Sequence, residues 1–132
     1  MTRQEIIAEL ESITEPKRLL DQAIAVLFKY RREKITVPAE GNRPERMKVV
    51  WYGPKGEQVG PVPNFTESID AAKSLFDYAR PNTAAGYSYH DGYAKAAVGD
   101  GEAVIAFNPA TALCLATIKA VPESDPTIHR SN

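Results

Sequence analysis

The densest run of chemically capable side chains in the sequence is Tyr87-Ser88-Tyr89-His90-Asp91-Gly92-Tyr93. Serine, histidine and aspartate this close together invite a nucleophile–base–orienter reading. On an extended strand, however, Ser88 and His90 share one face while Asp91 falls in a turn, leaving no group to orient the imidazole. No Gly-x-Ser-x-Gly elbow is present to expose a nucleophile. The run reads better as a hairpin tip with aromatic cross-strand pairs, because alternation around Asp-Gly is a strong hairpin signal. A ligand there would stack on tyrosine rather than undergo catalysis. The candidate ligand or partner surface is therefore Tyr87, Tyr89, His90 and Tyr93 with Arg80 and Lys48, a phosphate being held by Lys48, Arg80 or the loop from Arg31 to Arg46.

The remaining reactive residues are sparse. His129 is the only other histidine, and two distant histidines do not make a zinc signature. Cys114 is the only cysteine, so no internal disulfide can form; within Leu-Cys-Leu on a helix it reads as a small buried hydrophobe. Gly99-Asp100-Gly101 lacks the glycine spacing and helix that cradle a pyrophosphate, and no Walker sequence occurs. Asp21 and Asp70 lie near the starts of two expected helices. Either they complement the helix dipole, the favoured reading, or they form a paired acid site across a sheet. No catalytic residue, cofactor or metal ligand is assigned, and the expectation is a protein that is not an enzyme.

Composition sets the frame. The chain has 132 residues, a common size for one domain, with 43% hydrophobic and 25% charged residues. Its net charge of −1 gives no support to nucleic-acid binding. The stretch from Lys29 to Lys48 nevertheless holds seven basic residues against Glu33, Glu40 and Glu45, a local +4. Interleaved glutamates make a solvated loop the favoured reading of it. A single cysteine, no signal-peptide pattern and no long apolar run lead to the expectation of a cytoplasmic protein without membrane contact.

The elements that must position these residues follow from periodicity. Thr2 and Glu5 fit a capping box, opening a helix to about Ile13 with Ile6, Leu10 and Ile13 as its buried stripe. A second helix is expected over 16–30 on Leu20, Ile24, Leu27 and Phe28, with Asp21 on its polar side. Residues 31–46 read as a long polar loop. Met47–Tyr52 reads as a strand, Gly53–Gly56 as a turn, and Gln58–Val62 as an edge strand at best. A third helix is expected from Asn64, capped by Asn64 with Glu67 or by Thr66, to Arg80. The Asp91-Gly92 hairpin and a strand over 102–107 come next. Asn108-Pro109 then opens a last helix to about Val121, and residues 122–132 form a polar tail expected to fray. The sum is an α+β, three-layer α-β-α sandwich, with one small, mainly antiparallel sheet and helices on both faces, spanning residues 1–121.

Three segments carry a resemblance. They are Arg18-Leu19-Leu20-Asp21-Gln22-Ala23-Ile24-Ala25, the stretch from Val62 through Asn64-Phe65-Thr66-Glu67-Ser68-Ile69-Asp70 to Ala72, and Ala110-Thr111-Ala112-Leu113-Cys114-Leu115-Ala116-Thr117-Ile118-Lys119-Ala120. In this order they resemble the phage ABA sandwich domain family, over about residues 5–121. The resemblance implies a small phage or prophage protein with a helix–sheet–helix sandwich and no assigned activity. The functional expectation is an accessory protein that binds a host or phage protein, or itself. The alternative is a binder of a nucleotide-like small molecule, using the tyrosines for stacking. Nucleic-acid binding through 29–48 ranks third.

Overall fold

The computed structural model describes residues 1–129. Helix α1 (Arg3–Ser12) begins at the expected capping box: Glu5 N donates to Thr2 Oγ1 and Thr2 N to Glu5 Oε1, both at 3.1 Å. Helix α2 (Arg18–Leu27) is shorter than its apolar pattern predicts because a Schellman closure stops it. Tyr30 N donates to Ala25 O and Lys29 N to Val26 O, with Lys29 at φ 69. That left-handed residue turns the chain straight into a strand.

The strand is β1 (Arg31–Val37), and it corrects the expectation of a loop over 31–46. It pairs antiparallel with β2 (Arg46–Tyr52) through seven successive positions, from Arg31↔Tyr52 to Val37↔Arg46. Glu40 and Arg43 exchange backbone hydrogen bonds at the tip, with Gly41 at φ 56. Pro38 and Pro44 stand just outside the two strands, where neither removes a ladder hydrogen bond. The reason that periodicity missed β1 is physical. Both faces of this ribbon meet water over most of its length, so burial selects no apolar alternation. After the Gly53–Gly56 turn, the short strand β3 (Gln58–Gly60) pairs with the end of β2.

Helix α3 (Ile69–Ala79) is capped by Ser68, whose Oγ accepts from Ala71 N at 3.2 Å. Asn64 and Thr66, the expected caps, are engaged elsewhere. Strands β4 (Ala85–His90), β5 (Tyr93–Val98) and β6 (Val104–Ala106) form a second antiparallel sheet. Helix α4 (Pro109–Ala120) starts as expected, with Asn108 Oδ1 accepting from Thr111 N at 2.7 Å. Among the described residues the chain is thus an α+β protein of four helices and two three-stranded sheets, β1-β2-β3 and β4-β5-β6, instead of one sheet. Strand periodicity identifies strands, but it does not say which of them pair.

Helix α4 is the centre of the core. Every residue from Ala110 to Ile118 is buried, and a helix apolar on all sides belongs inside. It packs on the face of the second sheet that buries Ala94, Ala96, Val98 and Ala106, and it also contacts α1 and α3. The opposite face of that sheet leaves Lys95 and Ile105 exposed. The segment from Pro122 to His129, expected as a polar tail, lies against the body. Ile128 is buried, His129 N donates to Leu27 O at 2.8 Å, and residues 130–132 lie outside the described residues.

One polar hub ties α2, the segment over 62–66 and α4 together. Asp21 is only 1% exposed, a correction to its expected place on the polar side of α2. Its Oδ1 accepts from Thr66 N at 2.8 Å and Thr66 Oγ1 at 2.9 Å, and its Oδ2 accepts from Arg18 at 2.9 Å. Thr66 Oγ1 accepts in turn from Lys17 N. Thr66 O accepts from Asn108 Nδ2 and Thr111 Oγ1, while Phe65 O accepts from Cys114 Sγ. Arg18 also reaches Val62 O at 2.7 Å and Asn64 Oδ1.

Removing the carboxylate while keeping its donors buried is the damaging change. Asp21→Ala is expected to lose about 3–5 kcal/mol in urea unfolding. Asp21→Asn, which keeps an oxygen for Thr66, is expected to lose about 1–2 kcal/mol. Burial pushes the Asp21 carboxyl above its ordinary value of 3.8, against the hydrogen bonds from Thr66 and Arg18 that pull it down. A raised folded-state pKa gives stability that is complete below the unfolded value and declines as pH climbs through the folded one. The advantage of wild type over Asp21→Asn should therefore shrink as pH rises from about 3.8 and then level off; a growing advantage refutes this account. Separately, Lys29→Gly should raise stability by about 0.5–1 kcal/mol, because glycine adopts the left-handed closure without a Cβ clash.

Candidate functional site

The tyrosine run forms the hairpin β4–β5, with His90 opposite Tyr93 across the two-residue turn Asp91-Gly92. Gly92 takes φ 83, which glycine supplies freely. In the register Tyr87↔Ala96 and Tyr89↔Ala94, both tyrosines lie on the helix-facing side, beyond the part that α4 covers. Tyr89 is 74% exposed and Tyr87 51%. Ser88, His90 and Tyr93 take the other side, where the His90 and Tyr93 rings stack at 4.5 Å and 4°. Ser88 Oγ and His90 Nε2 are 2.8 Å apart, the contact a nucleophile–base pair needs. Among the described residues Asp91 makes no hydrogen bond to His90, and Ser88 stands on an exposed strand.

The backbone of β4 matters more than its side chains. Strand β4 lies at the edge of its sheet. Gly99 N donates to Ala84 O at 2.8 Å, so Ala84 and Gly99 form a hydrogen-bonded pair. Alternation along an antiparallel ladder then gives Gly86, Ser88 and His90 to β5, and points the N–H and C=O of Ala85, Tyr87 and Tyr89 outward. Edge strands are commonly guarded by lysine, proline, charge or a bulge. Ala85-Gly86-Tyr87-Ser88-Tyr89-His90 has no proline, lysine or acidic residue, and its register with β5 is unbroken.

Beside this edge lies a depression of about 240 Å³ between β4 and α3. Ile69, Phe76, Tyr87 and Leu113 give it apolar walls, and Asp70 and Lys73 stand at its rim. Its α3 side was not foreseen from sequence. The i, i+4, i+7 spacing of Ile69, Lys73 and Phe76 shows a shared helix face, but nothing local shows which strand it meets.

The other candidates do not converge on the tyrosines. Lys48 projects from the β1–β2 ribbon. Arg80 caps α3 and faces the C-terminal segment: together with Lys29, and after the stronger hydrogen bonds from Thr127, it holds the Asp125 carboxyl below its usual range. Asp21 and Asp70 do not form an acid pair, since Asp21 is buried in the hub and Asp70 borders the depression. A larger cleft of about 660 Å³ is lined by Val104, Ile105, Leu115, Glu102 and the Glu11–Lys119 ion pair, at 3.6 Å. It contains no tyrosine or arginine, so it does not match the expected stacking-plus-phosphate site. Among the described residues no group of three or more His, Cys, Asp or Glu is placed to hold a metal ion. No described helix is long and apolar enough to cross a membrane.

No protein-family model, no curated protein and no solved structure matches this chain.

Cys114 is fully enclosed, and burial pushes its thiol far up from the ordinary value, with a smaller push from Asp21. It is expected to resist thiol reagents in the native protein and to react only on unfolding. Fast labelling of the folded chain would show the core to be more open than this.

Proposed function

We propose that this chain is a non-enzymatic binding protein that captures an extended segment of a protein partner as an added strand on β4. The carrying observation is the unguarded edge, with three outward-facing backbone pairs at Ala85, Tyr87 and Tyr89. In strand addition, main-chain hydrogen bonds give affinity and side-chain pockets give selectivity. Here the depression against α3 supplies the pocket, and it fits one apolar side chain better than a drug-sized ligand, whose sites run to about 300–1,000 Å³. The segment it fits is extended, with an apolar residue at alternate positions towards Ile69 and Phe76.

The resemblance of three segments to the phage ABA sandwich family supports a phage or prophage accessory protein working in the host cytoplasm. An α-β-α layering like that family's is supported by α4 on one face of the β4–β5–β6 sheet. The exposed Lys95 and Ile105, however, leave the opposite face without a helical cover.

The test uses short peptides selected from a random displayed library on the intact chain. Binding should shift the amide resonances of Ala85, Tyr87 and Tyr89 and slow their hydrogen exchange. Tyr89→Pro, which deletes one outward N–H but no β4–β5 bond, should weaken binding by about tenfold, while Tyr89→Phe should not. Shifts clustered in the Glu11–Lys119 cleft, or a stable dimer already protecting these amides, would overturn the peptide reading.

A further inference from the structure

We propose that the β1–β2 ribbon is a DNA-binding arm that enters the major groove of duplex DNA. This rests on a different part of the molecule from the β4 edge. Net charge argues against nucleic acid only when averaged over the chain. Residues 29–48 carry +4 in a chain of −1, so the rest carries −5. The fold gathers +3 of that +4 onto one two-stranded projection, Lys29 standing just before it, and among the described residues no helix makes more than marginal contact with it. Within the ribbon only Val50 and Trp51, at its base, are buried.

The placement of the cations is the telling feature. The register puts Arg32 and Lys34 on one face with Met47 and Val49, and Arg46 and Lys48 on the other with Ile35 and Val37. Arg43 stands at the tip. Arg31 is already engaged, 2.9 Å from Glu33 and over the Tyr52 ring. Among the described residues the other five cations have no ion-pair partner. A ribbon lying on a flat anionic surface needs cations on one face only. Cations on both faces suit a slot with phosphates on either wall.

Dimensions agree. The major groove is about 12 Å wide and admits a two-stranded ribbon, whereas that of A-form RNA is too narrow for side chains to read. Strands lie about 4.8 Å apart, and seven residues extend about 23 Å, enough to follow the groove for part of a turn. Met47 and Val49, 62% and 45% exposed, give the ribbon apolar surface of the kind that meets a thymine methyl. The acidic remainder of the chain is repelled by phosphate and so favours an approach with the ribbon leading.

The experiment is anisotropy of a labelled mixed-sequence DNA duplex with the full chain over a salt series. Log affinity should fall linearly with log salt, by about 0.9 for each phosphate met and so up to about 4.5 for five cations. The pairs Arg32→Ala with Lys34→Ala, and Arg46→Ala with Lys48→Ala, should each weaken binding at least about tenfold and reduce the slope by about 2. Both alter exposed residues, and unchanged circular dichroism and melting confirm the fold. Tyr89→Pro should bind DNA as wild type does, which separates this proposal from the strand-addition reading. Absence of duplex binding at low salt, loss from one face only, equal binding of duplex RNA, or preference for anionic lipid vesicles that DNA does not displace would each overturn it.

Discussion

The fold depends on a single buried carboxylate. Asp21 lies under the start of α2, where water cannot solvate it, and only protein donors make its burial tolerable. Thr66 supplies two and Arg18 a third. Thr66 can do so only while Asn108 and Thr111 hold its carbonyl from the other side. The consequence is positional: α2, the segment over 62–66 and α4 reach one mutual arrangement, because any slip leaves a buried donor or acceptor unmet. An apolar cluster of the same volume tolerates several packings, whereas this set of directional bonds tolerates one.

This bears on what the family resemblance means. The segments that carry it are those over 18–25, 62–72 and 110–120, and they are the ones that meet at the hub. A likeness carried by them is a likeness of packing. The two surfaces proposed to bind, the β4 edge and the β1–β2 ribbon, lie in chain outside those segments. The stretches that pack the hub and those proposed to bind are thus separate in this sequence, and packing does not specify what a protein binds.

What could be read from the residues follows the same physical line. The caps at Thr2 and Asn108 were legible because they are local bonds between neighbours in sequence. The buried stripes of α2 and α3, the Asp91-Gly92 hairpin and the burial of Cys114 were legible because each element meets the core on a regular period. The cap of α3 was misplaced because Asn64 and Thr66 have the right chemistry but serve partners more than forty positions away. Asp21 was misplaced for the same reason, as was Ile128 in a segment that looks like a polar tail. Of the candidate site, Tyr87, Tyr89, His90 and Tyr93 do share one hairpin, whereas Arg80 and Lys48 belong to other regions. The free edge of β4 has no sequence signature, because an edge is defined by the strand that is not there.

The ribbon is attached to the body at its base, through Val50, Trp51 and the short β3. Nearly all of the apolar core lies outside it. Its outer residues are therefore released from the demand that constrains α4, where one methylene too many or too few disturbs several neighbours. A change of length, charge or composition between Val37 and Arg46 therefore leaves the packing of the body untouched.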